Sequence, residues 1–149
     1  MSEWLYKGRL LEDSDFPETT AGFLYLIRHT ISGRKYIGRK LITKAHRRQK
    51  NKKIIRSRVE SDWRVYWSSS PEILKMITEE GTDNFVREVL MFAPNKSILN
   101  YLEEKFLYSV GSMEKDIWFN SNIRAKVFKR NVKGKIDTDE MNAVLLSVN

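Results

Sequence analysis

Apolar and polar positions alternate most clearly in the stretch GFLYLIRHTISGRKYIGRK, Gly22 to Lys40. Phe23, Tyr25 and Ile27 interleave with Leu24, Leu26 and Arg28, the period-2 spacing of a strand. Ser32-Gly33 suits a two-residue hairpin turn, because glycine accepts a positive φ. With that turn Ile31 faces Arg34, His29 faces Tyr36, Ile27 faces Gly38 and Tyr25 faces Lys40. Residues directly opposite share a face, as do alternate residues along one strand. Tyr25, His29, Tyr36 and Lys40 then line one face, Gly38 leaves a gap in it, and Arg39 points the other way. The same spacing also describes an ordinary hairpin with packed aromatics.

Further elements follow from periodicity and punctuation. Pro71 to Glu80 reads as a helix with Ser69 or Ser70 as its cap and Gly81 at its end. Asn84 to Phe92 reads as a third strand, broken by Pro94-Asn95. Ser97 can cap a helix from Ile98 to Val110. At about 100° per residue, Ile98, Leu99, Leu102, Phe106 and Val110 form its apolar stripe. Glu103 falls at the stripe's edge and Glu104 on the solvent side. A carboxylate at that boundary needs compensation, from a divalent cation or from a buried Arg or Lys. Lys44 to Arg58 reads as a basic loop or irregular helix. Residues 1–20 form an arm, 21–130 the main domain, and 131–149 a tail in which Asp137 to Leu146 can form a short helix.

Charge adds a partner class. The chain has 27 Lys+Arg against 19 Asp+Glu, a net charge of +8. Ten basic residues and no acidic one lie between Arg39 and Arg58, and six more lie between Ile117 and Ile136, again with no acid. The two segments carry +16, which leaves −8 (8 − 16) for the remainder. Such segregation favours a polyanion-binding surface, with Arg47, Arg48, Lys50, Lys52, Lys53, Arg56, Arg58 and Lys126 as contacts. A solvated face or a flexible loop is the plainer reading of any one charge run. No apolar run approaches a membrane span, and the basic run lacks the apolar stripe of an interfacial helix. There is no cysteine, hence no disulfide framework or thiolate zinc site. A cytoplasmic protein is expected. Trp63, Tyr66 and Trp67 could stack on bases, although core packing of at least two of them is the safer expectation.

Several motifs carry a resemblance. Tyr25 with the intact Tyr36-Ile37-Gly38 resembles the GIY-YIG nuclease superfamily, although Phe23-Leu24-Tyr25 replaces Gly-Ile-Tyr. The segment Ser61-Asp62-Trp63-Arg64-Val65-Tyr66-Trp67-Ser68-Ser69-Ser70 resembles the W-x-x-Y-x-G-S-S stretch of small phage-type, stand-alone members. Gly81 to Leu90 is similar to their third-strand region, Tyr101 to Lys105 to their glutamate helix, and Phe119 to Ile123 to their closing asparagine motif. The order is right over roughly residues 21 to 130.

The resemblance implies an α+β fold, a three-stranded antiparallel β-sheet flanked by helices, and a DNA endonuclease dependent on Mg²⁺ or Mn²⁺. It implies duplex DNA as partner, no membrane, room for a homodimer, and the cytoplasm of a bacterial host if phage-encoded. Tyr25 would activate water, Tyr36 orient water or phosphate, Glu103 hold the metal and Asn120 support the site. The family's usual arginine, followed four residues later by His or Tyr, is missing: Arg47 precedes Asn51, Arg64 precedes Ser68, and Asp62 stands four before Tyr66. Lys40 or Arg39 could supply the cation, with Arg64 in reserve. A non-catalytic nucleic-acid-binding module on the same scaffold and a structural RNA-binding protein are the alternatives.

Overall fold

A computed structural model describes residues 3–123 and 129–149 of the chain. Its strands are β1 (Trp4–Tyr6), β2 (Arg9–Leu10), β3 (Gly22–His29), β4 (Lys35–Leu41), β5 (Thr43–Lys50), β6 (Lys53–Glu60) and β7 (Phe85–Ala93). Its helices are α1 (Pro71–Glu80), α2 (Lys96–Ser109) and α3 (Thr138–Val148). The fold is α+β, with one correction. The expected three-stranded sheet is the antiparallel core β7-β3-β4 of a five-stranded mixed sheet ordered β2-β1-β7-β3-β4. β1 extends it by pairing parallel to β7. The cause is Trp4, a residue of the expected arm, which is buried against Phe23 and Tyr25.

The expected basic loop or irregular helix at Lys44–Arg58 is instead the ribbon β5–β6, a sheet of its own. Extended strands need no apolar alternation when both faces meet water, so period-2 reading had nothing to detect there. Pro71 does open α1, Ser70 accepts from the Ile73 N–H, and Gly81 ends the helix at φ +81°. α2 begins two residues before the expected start, because Asn95 rather than Ser97 caps it. In the tail, Asp137 caps α3.

The β3–β4 hairpin differs in its turn. His29 N–H donates to the Arg34 carbonyl and Gly33 N–H to that of His29, which closes a four-residue loop, Thr30 to Gly33. His29 Nδ1 sits 2.7 Å from Ser32 Oγ, so the loop wraps the imidazole. Register therefore slips by two: Tyr25 faces Gly38, Ile27 faces Tyr36 and Phe23 faces Lys40. A shift of two preserves the alternation of faces. Tyr25, Tyr36 and Lys40 still share one face, and Arg39 the other.

Apolar residues cover both faces of the sheet. Leu24, Leu26 and Ile37 pack with Leu99, Leu102 and Phe106 of α2 and with Met141 of α3. On the opposite face Phe23, Tyr25 and Ile27 pack with Trp4, Trp63, Phe119 and Ile73 of α1.

A buried cation braces this second layer. Arg87 of β7 is 4% exposed. Its guanidinium lies between the rings of Trp4 (4.6 Å) and Trp67 (4.2 Å), and it donates to the carbonyls of Tyr66 (2.7 Å) and Arg64 (3.3 Å). Burial lowers its pKa to about 10. It ties the 64–67 segment, and hence Tyr66, to the sheet. Arg87→Leu leaves those carbonyls without this donor and is expected to cost about 3 kcal/mol in urea unfolding. A midpoint matching the parent would show that the clamp carries no stability.

Candidate active site

A cleft of about 670 Å³ opens along β4. Because β4 is the outermost strand of its sheet, side chains from both faces reach around its edge. Tyr25, Tyr36 and Lys40 line the cleft from one face, Arg39 and Glu103 from the other, and Asn120 closes the edge itself. Six of the seven residues expected in catalysis or at the metal are thus brought together with their partners, and the ribbon base adds Arg58.

Tyr25 is 1% exposed and directly opposite Gly38. A Cβ on Gly38 would collide with the Tyr25 hydroxyl and stand 2.8 Å from Tyr36 Cε1, so the missing side chain is what admits the phenol under β4. Burial raises the Tyr25 pKa well above that of a free phenol, aided by the phenols of Tyr36 and Tyr66 and by the Glu103 carboxylate. Tyr36 is raised as well, by burial, but its bond to Ser69 opposes the shift. Its hydroxyl lies 3.2 Å from Ser69 Oγ. Ser69 is set there by Ser68, which turns the chain at φ +97° and accepts the Ser70 N–H.

The cations are held by different partners. Lys40 Nζ donates to Asp62 Oδ1 at 2.5 Å and lies 3.8 Å over the Tyr66 ring. That bond lowers the Asp62 pKa. Arg39 Nε is 3.5 Å from Glu103 Oε1. The Glu103 side chain is only 18% exposed, and burial raises its pKa against the pull of Arg39. Asn120 Oδ1 accepts from Ile37 N–H (3.0 Å) while its Nδ2 donates to the Ile37 carbonyl (2.7 Å).

Arg64 does not reach the cleft. It binds Glu60 (2.9 Å) and Asp13 (3.3 Å) and stacks on Trp63. Arg47, Arg48, Lys50, Lys52, Lys53 and Arg56 stand on the ribbon beyond the cleft. Lys126 lies outside the described residues.

Residues 4–123 match the family model described as "Putative endonuclease segE, GIY-YIG domain". This chain belongs to that GIY-YIG family. No curated protein and no solved structure matches it. The GIY-YIG match starts at Trp4, the residue that anchors β1 in the sheet.

Three contributors to this GIY-YIG cleft escaped the sequence reading. Asp62, recognised only as standing where an arginine was missing, is the partner of Lys40. Tyr66, expected to pack or to stack on bases, supplies the ring beneath that ammonium. Ser69, a candidate cap, instead contacts Tyr36, and Ser70 makes the cap. The serine run was the available signal for Ser69. Nothing in the spacing of Lys40 and Asp62 announced their pairing.

The donor set restricts any metal. Among the described residues no three His, Cys, Asp or Glu side chains are grouped to hold one. Two carboxylates line the cleft: Asp62, bonded to Lys40, and Glu103, whose charge burial disfavours and which would be the donor left for a cation. One carboxylate suits Mg²⁺, which keeps several waters and takes further oxygens from substrate phosphate. It does not suit a cation that needs a full protein cage.

Among the described residues no helix is long and apolar enough to cross a membrane.

Proposed function

We propose that this GIY-YIG domain is a metal-dependent endonuclease that hydrolyses phosphodiester bonds of duplex DNA. The supporting observation is the convergence of two phenols, two cations, one buried-edge carboxylate and one amide on a single cleft at the edge of β4. The sheet edge lets a phosphate meet groups from both faces at once.

In the reaction a water oxygen bonds to phosphorus and the bond from phosphorus to the 3′ oxygen breaks. The products are a 5′-phosphate and a 3′-hydroxyl. A phenolate takes the water's proton, and the departing oxygen gains one from solvent. Tyr25 serves as that base, and Tyr36, with Ser69, orients the water or phosphate. Lys40 and Arg39 offset charge growing on the phosphoryl oxygens. Glu103 would anchor a divalent cation, which would supply Lewis-acid stabilisation of the leaving oxygen. Asn120 holds β4 in place.

Because the Tyr25 phenol is neutral well beyond ordinary pH, the base form grows as pH rises. The cleavage rate is therefore expected to climb through pH 6–9 without a plateau. Tyr25→Phe should lose cleavage while keeping DNA affinity. The direct test is nicking of supercoiled plasmid with Mg²⁺ and with EDTA: nicking only with the metal supports the proposal.

One observation favours a second reading, a binding module without catalysis. Lys40 is already engaged by Asp62, and the usual arginine has no substitute from Arg64. DNA that is shifted but uncut in excess Mg²⁺ would select this reading.

A further inference from the structure

The β5–β6 ribbon has features that the cleft does not use. Its strands form a sheet apart from the main one, and nearly every residue of both is exposed. It is tied to the body at its base. Ser61 N–H donates to the Ile42 carbonyl and Ser61 Oγ to that of Leu41, while Arg58 links the two strands there by donating to Thr43 Oγ1 and to its carbonyl. A lone two-stranded ribbon is marginal in water, and this one adds internal repulsion. Arg47 is directly opposite Arg56, and Lys50 opposite Lys53. Like charges so placed are destabilising. Guarding open edges against other strands would require a charge or two, whereas eight Lys or Arg stand between Thr43 and Glu60. An arrangement that costs the free protein stability is accounted for by a polyanion that relieves it.

The two faces differ. Alternation puts Ala45, Arg47 and Gln49 with Ile54, Arg56 and Arg58 on one face, and Lys44, His46, Arg48 and Lys50 with Lys53, Ile55 and Ser57 on the other. Ala45 and Arg58 of the first face line the cleft, joined at the ribbon base by Lys44 of the second. Further out, Arg47, Gln49 and Ile54 share a concavity with Arg48 and with Lys52 of the turn. The ribbon is about 26 Å long at 3.3 Å per residue. A two-stranded ribbon fits the B-DNA major groove, where glutamine can pair with adenine and an apolar group can touch the thymine methyl.

The geometry points to a groove-reading arm: the β5–β6 ribbon lies in the major groove of duplex DNA, with Arg47 and Arg56 on flanking phosphates and Gln49 and Ile54 against base edges. This rests on the proposed DNA substrate and adds how the domain holds it. Gln49 stands four residues beyond Ala45, about 13 Å from the cleft mouth, so the contacted bases lie about four base pairs from the cut. The A-form major groove is too deep and narrow for the ribbon.

The test uses the full chain in EDTA with a 30-base-pair mixed-sequence DNA duplex carrying 5-iodouracil, whose iodine lies in the major groove. Photo-cross-linking followed by peptide mapping is expected to label the segment 47–56. Cross-links confined to other segments overturn the proposal. Arg47→Ala/Arg56→Ala should weaken binding at least tenfold and lower the slope of log K against log salt by about 1.8, at 0.9 per phosphate contact. Its thermal midpoint should equal or exceed the parent's. An unchanged affinity and slope overturn the proposal, as does equal affinity for the RNA duplex of the same sequence. Plasmid nicking by the parent separates the two claims. Nicking without ribbon cross-links defeats only the groove arm, and ribbon cross-links without nicking defeat only the nuclease.

Discussion

Glu103→Gln is expected to reduce plasmid nicking at least about a thousandfold while leaving DNA affinity and thermal stability intact or the latter slightly raised. The combination is diagnostic, because most substitutions at half-buried positions destabilise. Burial raises the Glu103 pKa above its ordinary 4.5, so between those two values the folded chain holds a proton that the unfolded chain has released. Stability contributed by this group therefore falls as pH rises through that window, and above it the folded protein carries the full penalty of the charge. Glutamine removes the penalty. Arg39, a third exposed, is left solvated. Parent and variant melting curves should converge as pH falls below 4.5 and separate, variant higher, as pH rises from there. Retained nicking by the purified variant would show that Glu103 anchors no catalytic metal.

Gly38→Ala carries the second large effect. The added methyl collides with the Tyr25 hydroxyl, and the ring cannot retreat because Trp4, Phe23 and Tyr66 surround it at centroid distances of 5.5, 6.4 and 6.1 Å. Overpacking of this kind costs about 1–3 kcal/mol. Tyr36 is crowded by the same methyl, so both phenols move from where a phosphate would meet them, and nicking should drop at least a hundredfold. Circular-dichroism melts and the plasmid assay measure the two effects. Gly33→Ala is the control. Its φ of +75° makes alanine strained, yet nothing approaches that position closer than 4.0 Å, so it should lose some stability and keep its activity. Parent-like kinetics in Gly38→Ala would mean that Tyr25 does not sit beneath β4.

These residues also show what the sequence disclosed. The shared face of Tyr25, Tyr36 and Lys40 was legible because strand alternation is insensitive to a register error of two. The register itself was not, because it depends on a side-chain contact between His29 and Ser32 inside the turn. Glu103 was legible from helical periodicity: it lines the cleft and Glu104 does not. The motif set pointed to the family that the match over residues 4–123 shows. Trp4 falls in the expected arm because three residues, Trp4–Tyr6, are too few to display a period. The ribbon was hidden for a different reason, since KAHRRQK and KIIRSRVE have no face to bury. The partner of Lys40 was hidden because charge pairing across 22 residues leaves no mark in local spacing.

Asn120 has one more consequence. Its amide binds both the N–H and the carbonyl of Ile37, and Lys35 bonds in the same way to the Ile117 carbonyl and the Phe119 N–H. A passing stretch of chain thus imitates a sixth strand and seals the open side of β4 from Lys35 to Ile37, short of Arg39 and Lys40. The imitation arrives 83 residues after Ile37, a long loop to close. During synthesis the phenols and the lysine emerge well before their seal. The nascent chain therefore passes through a stage in which the bare edge of β4 can recruit a strand from another copy, and completion of the cleft coincides with the end of that vulnerability.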